Sequence, residues 1–148
     1  MVLPSIVLGV GLGGFVDGIV LHQLLQWHHM VSAEGCCPTD SLAGLEDNTL
    51  ADGAFHAATW LITLLGTLAA VRAWQRGELA PPWGLHVAGL LAGFGLFNVL
   101  DSVNHFVLGL HHVRDDLGGP AGWDIGFLIA SLMLVGGAGV AIRRQARV

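Results

Sequence analysis

The sequence predicts an all-α integral membrane protein, a four-helix bundle built from two parallel two-helix repeats and forming one domain over residues 1–148. Three observations carry this reading. The 148 residues are 53% hydrophobic and only 11% charged, where a soluble domain carries roughly 25% charged residues. Mean hydropathy is +0.67, and four apolar stretches are each long enough for the roughly 20 residues that a hydrocarbon core requires. One pattern also occurs twice: a histidine followed at fixed spacing by a His-His pair, as His22 with His28-His29 and as His105 with His111-His112.

The four stretches run over approximately residues 4–29, 51–72, 84–110 and 123–142. The first could be mistaken for a secretion signal, but it lacks a basic leader and carries half of the histidine pattern, so it is expected to remain as a helix. Met30 to Leu50 is polar and acidic, with Glu34, Asp40, Glu46 and Asp47; a short Pro81-Pro82 link follows the second stretch; His111 to Gly122 is rich in Gly and Asp. All cationic side chains are arginines, and Arg72, Arg76, Arg143, Arg144 and Arg147 sit in the second link and the tail. The positive-inside rule then places both termini in the cytoplasm of a bacterial inner membrane and turns the two acidic loops outward. Trp27, Trp74, Trp83 and Trp123 fall near helix ends, where indoles favour the interface. The net charge of −5 argues against a nucleic-acid partner. Gly9-x-x-x-Gly13 and Gly89-x-x-x-Gly93 permit close helix approach. An exposed face of small residues would also support a homo-oligomer.

Aligning His22 with His105 brings the paired histidines into register without a gap, and Asp52-Gly-Ala-Phe55-His56 then lies over Asp124-Ile-Gly-Phe127-Leu128. Both halves start on the same side, which describes a parallel repeat with its axis along the membrane normal. His56 has Leu128 as its counterpart, so the halves are not identical.

Ionisable groups within a membrane are costly and mark a functional site by default. At about 1.5 Å per residue, His28, His29, His111, His112, Asp52 and Asp124 fall near the outer boundary. His22, His105 and His56 lie about 10 Å deeper, with Asp17, Asn98 and Asp101 deeper again. Three histidines from three helices at one level form a candidate three-nitrogen metal site, since imidazole suits Zn, Cu, Fe and Ni. Asp52 would complete or orient it, and the outer His pairs would hold or pass a second ion. Asn98, Asp101, His105 and His112 share one helical stripe, and His22, Gln26 and His29 another. Asp17, five residues before His22, points elsewhere on an ideal helix and is not equivalent to Asp101. Asp17, Asp101, Asp124, Asn98 and Gln26 are therefore second-rank candidates for supporting ligands or moving protons. His86 falls outside the pattern and reads as structural. A metal-free hydrogen-bonded network is the competing account of the cluster. The loop pair Cys36-Cys37 offers a soft-metal or oxidised site on a weak signal.

The stretches Asp17-Gly-Ile-Val-Leu-His22-Gln, Gln26-Trp-His-His29, Asn48-Thr-Leu-Ala-Asp-Gly-Ala-Phe-His-Ala-Ala-Thr-Trp60, Gly95-Leu-Phe-Asn98 and His111-His-Val-Arg114 resemble a family of small bacterial membrane proteins catalogued as a domain of unknown function. The resemblance spans nearly the whole chain and implies four membrane spans. It implies no activity. A glutamate is expected in that family where this chain has Asp101, and Cys36-Cys37 is not part of its pattern.

The function expected from the residues is an outward-facing His/Asp metal centre. Copper ranks first and zinc or iron next, with redox chemistry on a small diffusible species such as dioxygen or superoxide. A metal-handling protein without catalysis and a b-type haem electron carrier are the alternatives. The helices turn apolar below Asp17 and Asp101, which disfavours a path through the bilayer. The expected partners are lipid and either a small substrate or a metal ion.

Overall fold

The structure, a computed structural model, describes residues 2–33 and 37–145; Cys36 and the cysteine-pair reading lie outside them. Helix α1 runs Leu3–Val16 with Pro4 in its first turn, where the missing N–H costs no hydrogen bond. It continues as a π-helix over Asp17–Leu24. Helix α2 spans Leu42–Gln75, capped by the Ser41 hydroxyl, which accepts from the Gly44 amide. After Pro81-Pro82, α3 covers Trp83–Val103 and a π turn carries it through Asn104–Leu108. A 3-10 turn at Asp115–Leu117 leads to α4, Ala121–Gln145. All four helical units are long and apolar enough to cross a membrane.

Two boundaries differ from the sequence expectation, each for a local reason. The first span stops at Leu24 rather than at residue 29, because Gln26 takes a left-handed φ of 50°. The third stops in the same way at Gly109, φ 62°. Helix α2 starts at Leu42, well before residue 51. Its 34 residues extend about 51 Å at about 1.5 Å per residue, beyond a core of about 30 Å. Hydropathy registers only the apolar part, whereas the Ser41 cap lets the helix begin in the polar segment.

Polarity is inverted relative to a water-soluble fold. Leu61, Leu65, Leu68, Leu96, Ile129, Leu132 and Met133 face outward, while the buried set is dominated by Ser5, Asp17, His22, Asn48, Asp52, Thr59, Asp101, His105, Asp124 and Ser131. Lipid is the solvent for the first group, so burial is left for polar contacts and small residues.

Helix α1 lies between α2 and α3, and α4 packs on α3. The α1–α3 crossing depends on glycine. A Cβ on Gly9 would run into the Leu90 carbonyl, and one on Gly93 into the Ile6 carbonyl. Backbone meets backbone here, so α1 and α3 are held in close approach.

Candidate metal centre

The left-handed residues Gln26 and Gly109 turn the chain back on itself just past each π segment. The paired histidines therefore do not sit a tier above His22 and His105. The His28 ring packs on His22 at 4.7 Å between centroids, and His111 packs on His105 at 5.0 Å. His28 and His111 then stack on each other at 4.6 Å. Four imidazoles from both halves form one cluster.

Two carboxylates complete it. Asp17 approaches His22 Nε2 with Oδ2 at 3.2 Å and His28 Nε2 with Oδ1 at 3.9 Å. Asp101 approaches His105 Nε2 at 3.5 Å and His111 Nε2 at 3.6 Å. All six side chains are buried. Asp17 thus holds the place opposite Asp101 that helical phasing denied it. Five residues on an ideal α-helix leave it about 140° away from His22 at about 100° per residue. The π-helix, with one more residue per turn, brings the two into contact.

Hydrogen bonds at Nδ1 fix which nitrogen faces the carboxylates. His28 Nδ1 lies 3.1 Å from the Val113 carbonyl and His111 Nδ1 lies 3.1 Å from the Met30 carbonyl. A carbonyl only accepts, so both Nδ1 atoms carry the proton. His22 Nδ1 donates to Asp52 Oδ1 at 2.8 Å; His105 Nδ1 lies 3.5 Å from Asp124 Oδ1 and makes no hydrogen bond. The Nε2 atoms of the four rings, with Asp17 Oδ1 and Asp101 Oδ2, are left buried without a hydrogen-bond partner. A neutral ring protonated at Nδ1 presents a lone pair at Nε2. Lone pairs facing carboxylates in a buried space repel unless a cation lies between them.

The distances discriminate between cations. All four separations are longer than a charged N–H···O contact, which is about 2.7–2.9 Å. Two ligands each about 2.0–2.2 Å from one metal stand about 2.9–3.5 Å apart at angles between 90° and tetrahedral. The Asp17–His22 and Asp101–His105 separations fall in that interval, Asp101–His111 lies at its upper edge, and Asp17–His28 is a few tenths longer. Asp17 with His22 and His28, and Asp101 with His105 and His111, are two groups that could hold a metal ion.

The remaining candidates surround this core. Asp52 Oδ2 accepts from His29 Nδ1 at 2.7 Å and Oδ1 from the Met30 amide at 2.9 Å. Asp124 does the same for His112 Nδ1 at 2.8 Å and the Val113 amide at 2.9 Å. His29 and His112 therefore brace these acids and belong to neither group that could hold a metal ion. Gln23 Nε2 also reaches Asp52. Asn98 offers its backbone carbonyl to Ser102, and Gln26 makes the turn. His56, expected as the third deep ligand, lies outside both groups. Its buried Nε2 has no partner and sits over Gly18, where a Cβ would collide with it. His86 bonds Ser5 at the far end of the bundle.

Sequence reasoning missed three features. The carbonyls of Met30 and Val113 have no side-chain signal. Asn48 is fully buried and accepts the Val31 amide while donating to the Cys37 carbonyl. Asp115, which takes the Ser32 hydroxyl and the His112 amide, was legible in principle, because it lies opposite Ser32 in the repeat register.

The cluster is electrostatically divided. Burial, aided by the nearby His111 and His22, pushes His28 down to about 3. Burial also lowers His111, but its contact with the Asp101 carboxylate outweighs this and raises it above the ordinary histidine value. One imidazole of the stacked pair is thus held neutral while the other attracts a proton. At the rim, Arg114 holds Asp116 below the usual carboxylate range through paired 2.7 Å bonds and lies over both Trp27 and Trp123.

Four lipid-facing helices around a buried His/Asp cluster define a membrane-spanning helical bundle with residues suited to a metal ion. The sequence comparison narrows this to a family: residues 4–146 match the family described as predicted membrane protein (DUF2243). The chain belongs to that family. No curated protein and no solved structure matches it.

Proposed function

We propose that the bundle is a dimetal protein, with one ion held by Asp17, His22 and His28 and a second by Asp101, His105 and His111. The observation that carries this reading is the set of four histidine Nε2 atoms facing two carboxylates, buried and without hydrogen-bond partners. The His28–His111 stack at 4.6 Å brings the two groups close enough to act as one centre. Matching contacts of Asp52 with Asp124, and of Met30 with Val113, support an origin by duplication, with Asp17 and Asp101 as counterparts.

Each group is a two-histidine, one-carboxylate set with open positions, the donor set used in non-haem iron oxygen chemistry. Copper, which binds nitrogen–oxygen sites most tightly of the divalent series, stays beside iron at the front. Either metal would supply one-electron chemistry on a small species such as dioxygen or superoxide. Asp17 and Asp101 offset ion charge in a low-dielectric interior. Asp52 holds the Nδ1 proton of His22, and the Val113 and Met30 carbonyls hold those of His28 and His111, which keeps these Nε2 atoms directed inward. The arginine distribution turns this end of the bundle outward from a bacterial inner membrane. The test is elemental analysis of detergent-purified protein with visible and paramagnetic-resonance spectra, followed by dioxygen and superoxide assays. About two redox-active ions per chain support the reading. Two zinc ions would remove the redox chemistry but keep the centre. A metal-free protein would defeat both.

A further inference from the structure

A cavity of about 380 Å³ opens at the loop end of the bundle and is lined by Gln26, His28, His29, Thr39, Asp115 and Asp116 among others. We infer that it is the entry route by which a hydrated divalent cation reaches the buried centre, with His28 as the handover point; this rests on the dimetal reading above. His28 belongs to both spaces. It forms part of the cavity wall, yet it is only 2% exposed and its Nε2 is unpartnered within the cluster.

The chemistry of the wall selects the cargo. Carboxylates, an imidazole, a hydroxyl and an amide can replace the waters of a cation one at a time, and the volume holds several waters at about 30 Å³ each. Dioxygen is apolar and can arrive through the lipid, so it needs no polar vestibule. An anion such as superoxide would meet the Asp115 carboxylate, which pairs with no cation among the described residues, whereas Asp116 is offset by Arg114. His29 has its Nδ1 committed to Asp52, so it can take a passing ion only through Nε2 and release it to His28 beside it. The Gln26 turn is what brings both rings to the cavity, so the strained residue serves the route as well as the fold.

Leu45 lines the same cavity, lies outside both ligand groups and is 43% exposed. It therefore allows the route to be charged in either sense. The experiment is Co²⁺ loading of the metal-free protein in detergent, followed by stopped-flow visible absorption in wild type, Leu45→Lys and Leu45→Glu. Leu45→Lys should slow loading by roughly tenfold at low salt, and Leu45→Glu should not slow it. All three should reach the same final spectrum, and the difference should shrink as salt screens it. Thr39→Arg, in the loop opposite, is the second slow variant should Leu45→Lys fold poorly. Equal rates in all variants, with normal final spectra, would overturn the route and leave the centre standing. A wild type that takes up no Co²⁺ would overturn the centre and the route together.

Discussion

The imidazoles of His28 and His111 lie face to face, 4.6 Å between centroids and 2° from parallel, and each is anchored by the loop of the other half. His28 Nδ1 donates to Val113 and His111 Nδ1 to Met30. The bonds cross, so each ring is oriented by the other loop. The expected outcome is that His111→Ala holds at most about half of the wild-type metal and also alters the spectrum of what stays, since His28 loses its stacking partner. Elemental analysis with the visible spectrum checks this. A variant with full metal content would show that His111 is not a ligand.

Asp52 holds two histidines and one amide at once. Replacing it by Asn keeps the shape but removes the charge that fixes the Nδ1 proton of His22. Loss of such an outer partner typically costs 10–100-fold in metal affinity, and Asp52→Asn should fall in that range in a competition titration with a chelator. Asp124→Asn should cost less, because His105 Nδ1 stands 3.5 Å from Asp124 against 2.8 Å for the His22–Asp52 bond.

Asp17 and His22 reach each other with five residues of separation on a π-helix, and Asp101 and His105 do so with four, Asp101 lying in the α-helical part of its span. Deleting Ile19, which faces lipid at 47% exposure, should let the first helix run as an α-helix with the spacing of the second. The deletion protein is expected to keep its metal. Inserting an alanine at the same point should abolish binding at the first group. Metal content of the two proteins decides it; loss in both would mean that the π segment itself is required.

How far the sequence reached follows from the same geometry. Spans and the clustering of seven histidines were legible, because hydropathy and residue type need no coordinates. The pairing of ligands was not. Depth counting assumes one rise per residue along an unbroken helix, and it fails where Gln26 and Gly109 leave helical space and fold His28 and His111 back onto His22 and His105. Facing arguments assume 100° per residue and fail where Asp17 begins a π-helix. Both failures fall at the candidate site, where π segments are often found.

Gly93 meets the Ile6 carbonyl directly, so Gly93→Ala must push α1 and α3 apart. Overpacking of this kind costs about 1–3 kcal/mol, and reversible denaturation in detergent should show it, with metal content falling as the two groups separate. Gly126→Ala is the control. A Cβ there meets nothing within 4 Å, and alanine is the better helix former by about 0.5–1 kcal/mol, so that variant should be neutral or slightly more stable.

His56 is the histidine whose role changed most between sequence and structure. It was expected at the level of His22 and His105 as a third ligand, whereas it lies outside both groups that could hold a metal ion. Its Nε2 is buried without a partner over Gly18. Leaving a polar atom unsatisfied costs about 1–3 kcal/mol, and exchanging it for an apolar group of similar shape can be neutral or favourable. His56→Leu, which reproduces Leu128 of the other half, should therefore keep the full metal content and unfold no earlier than wild type. Loss of one ion in that variant would restore His56 to the ligand set.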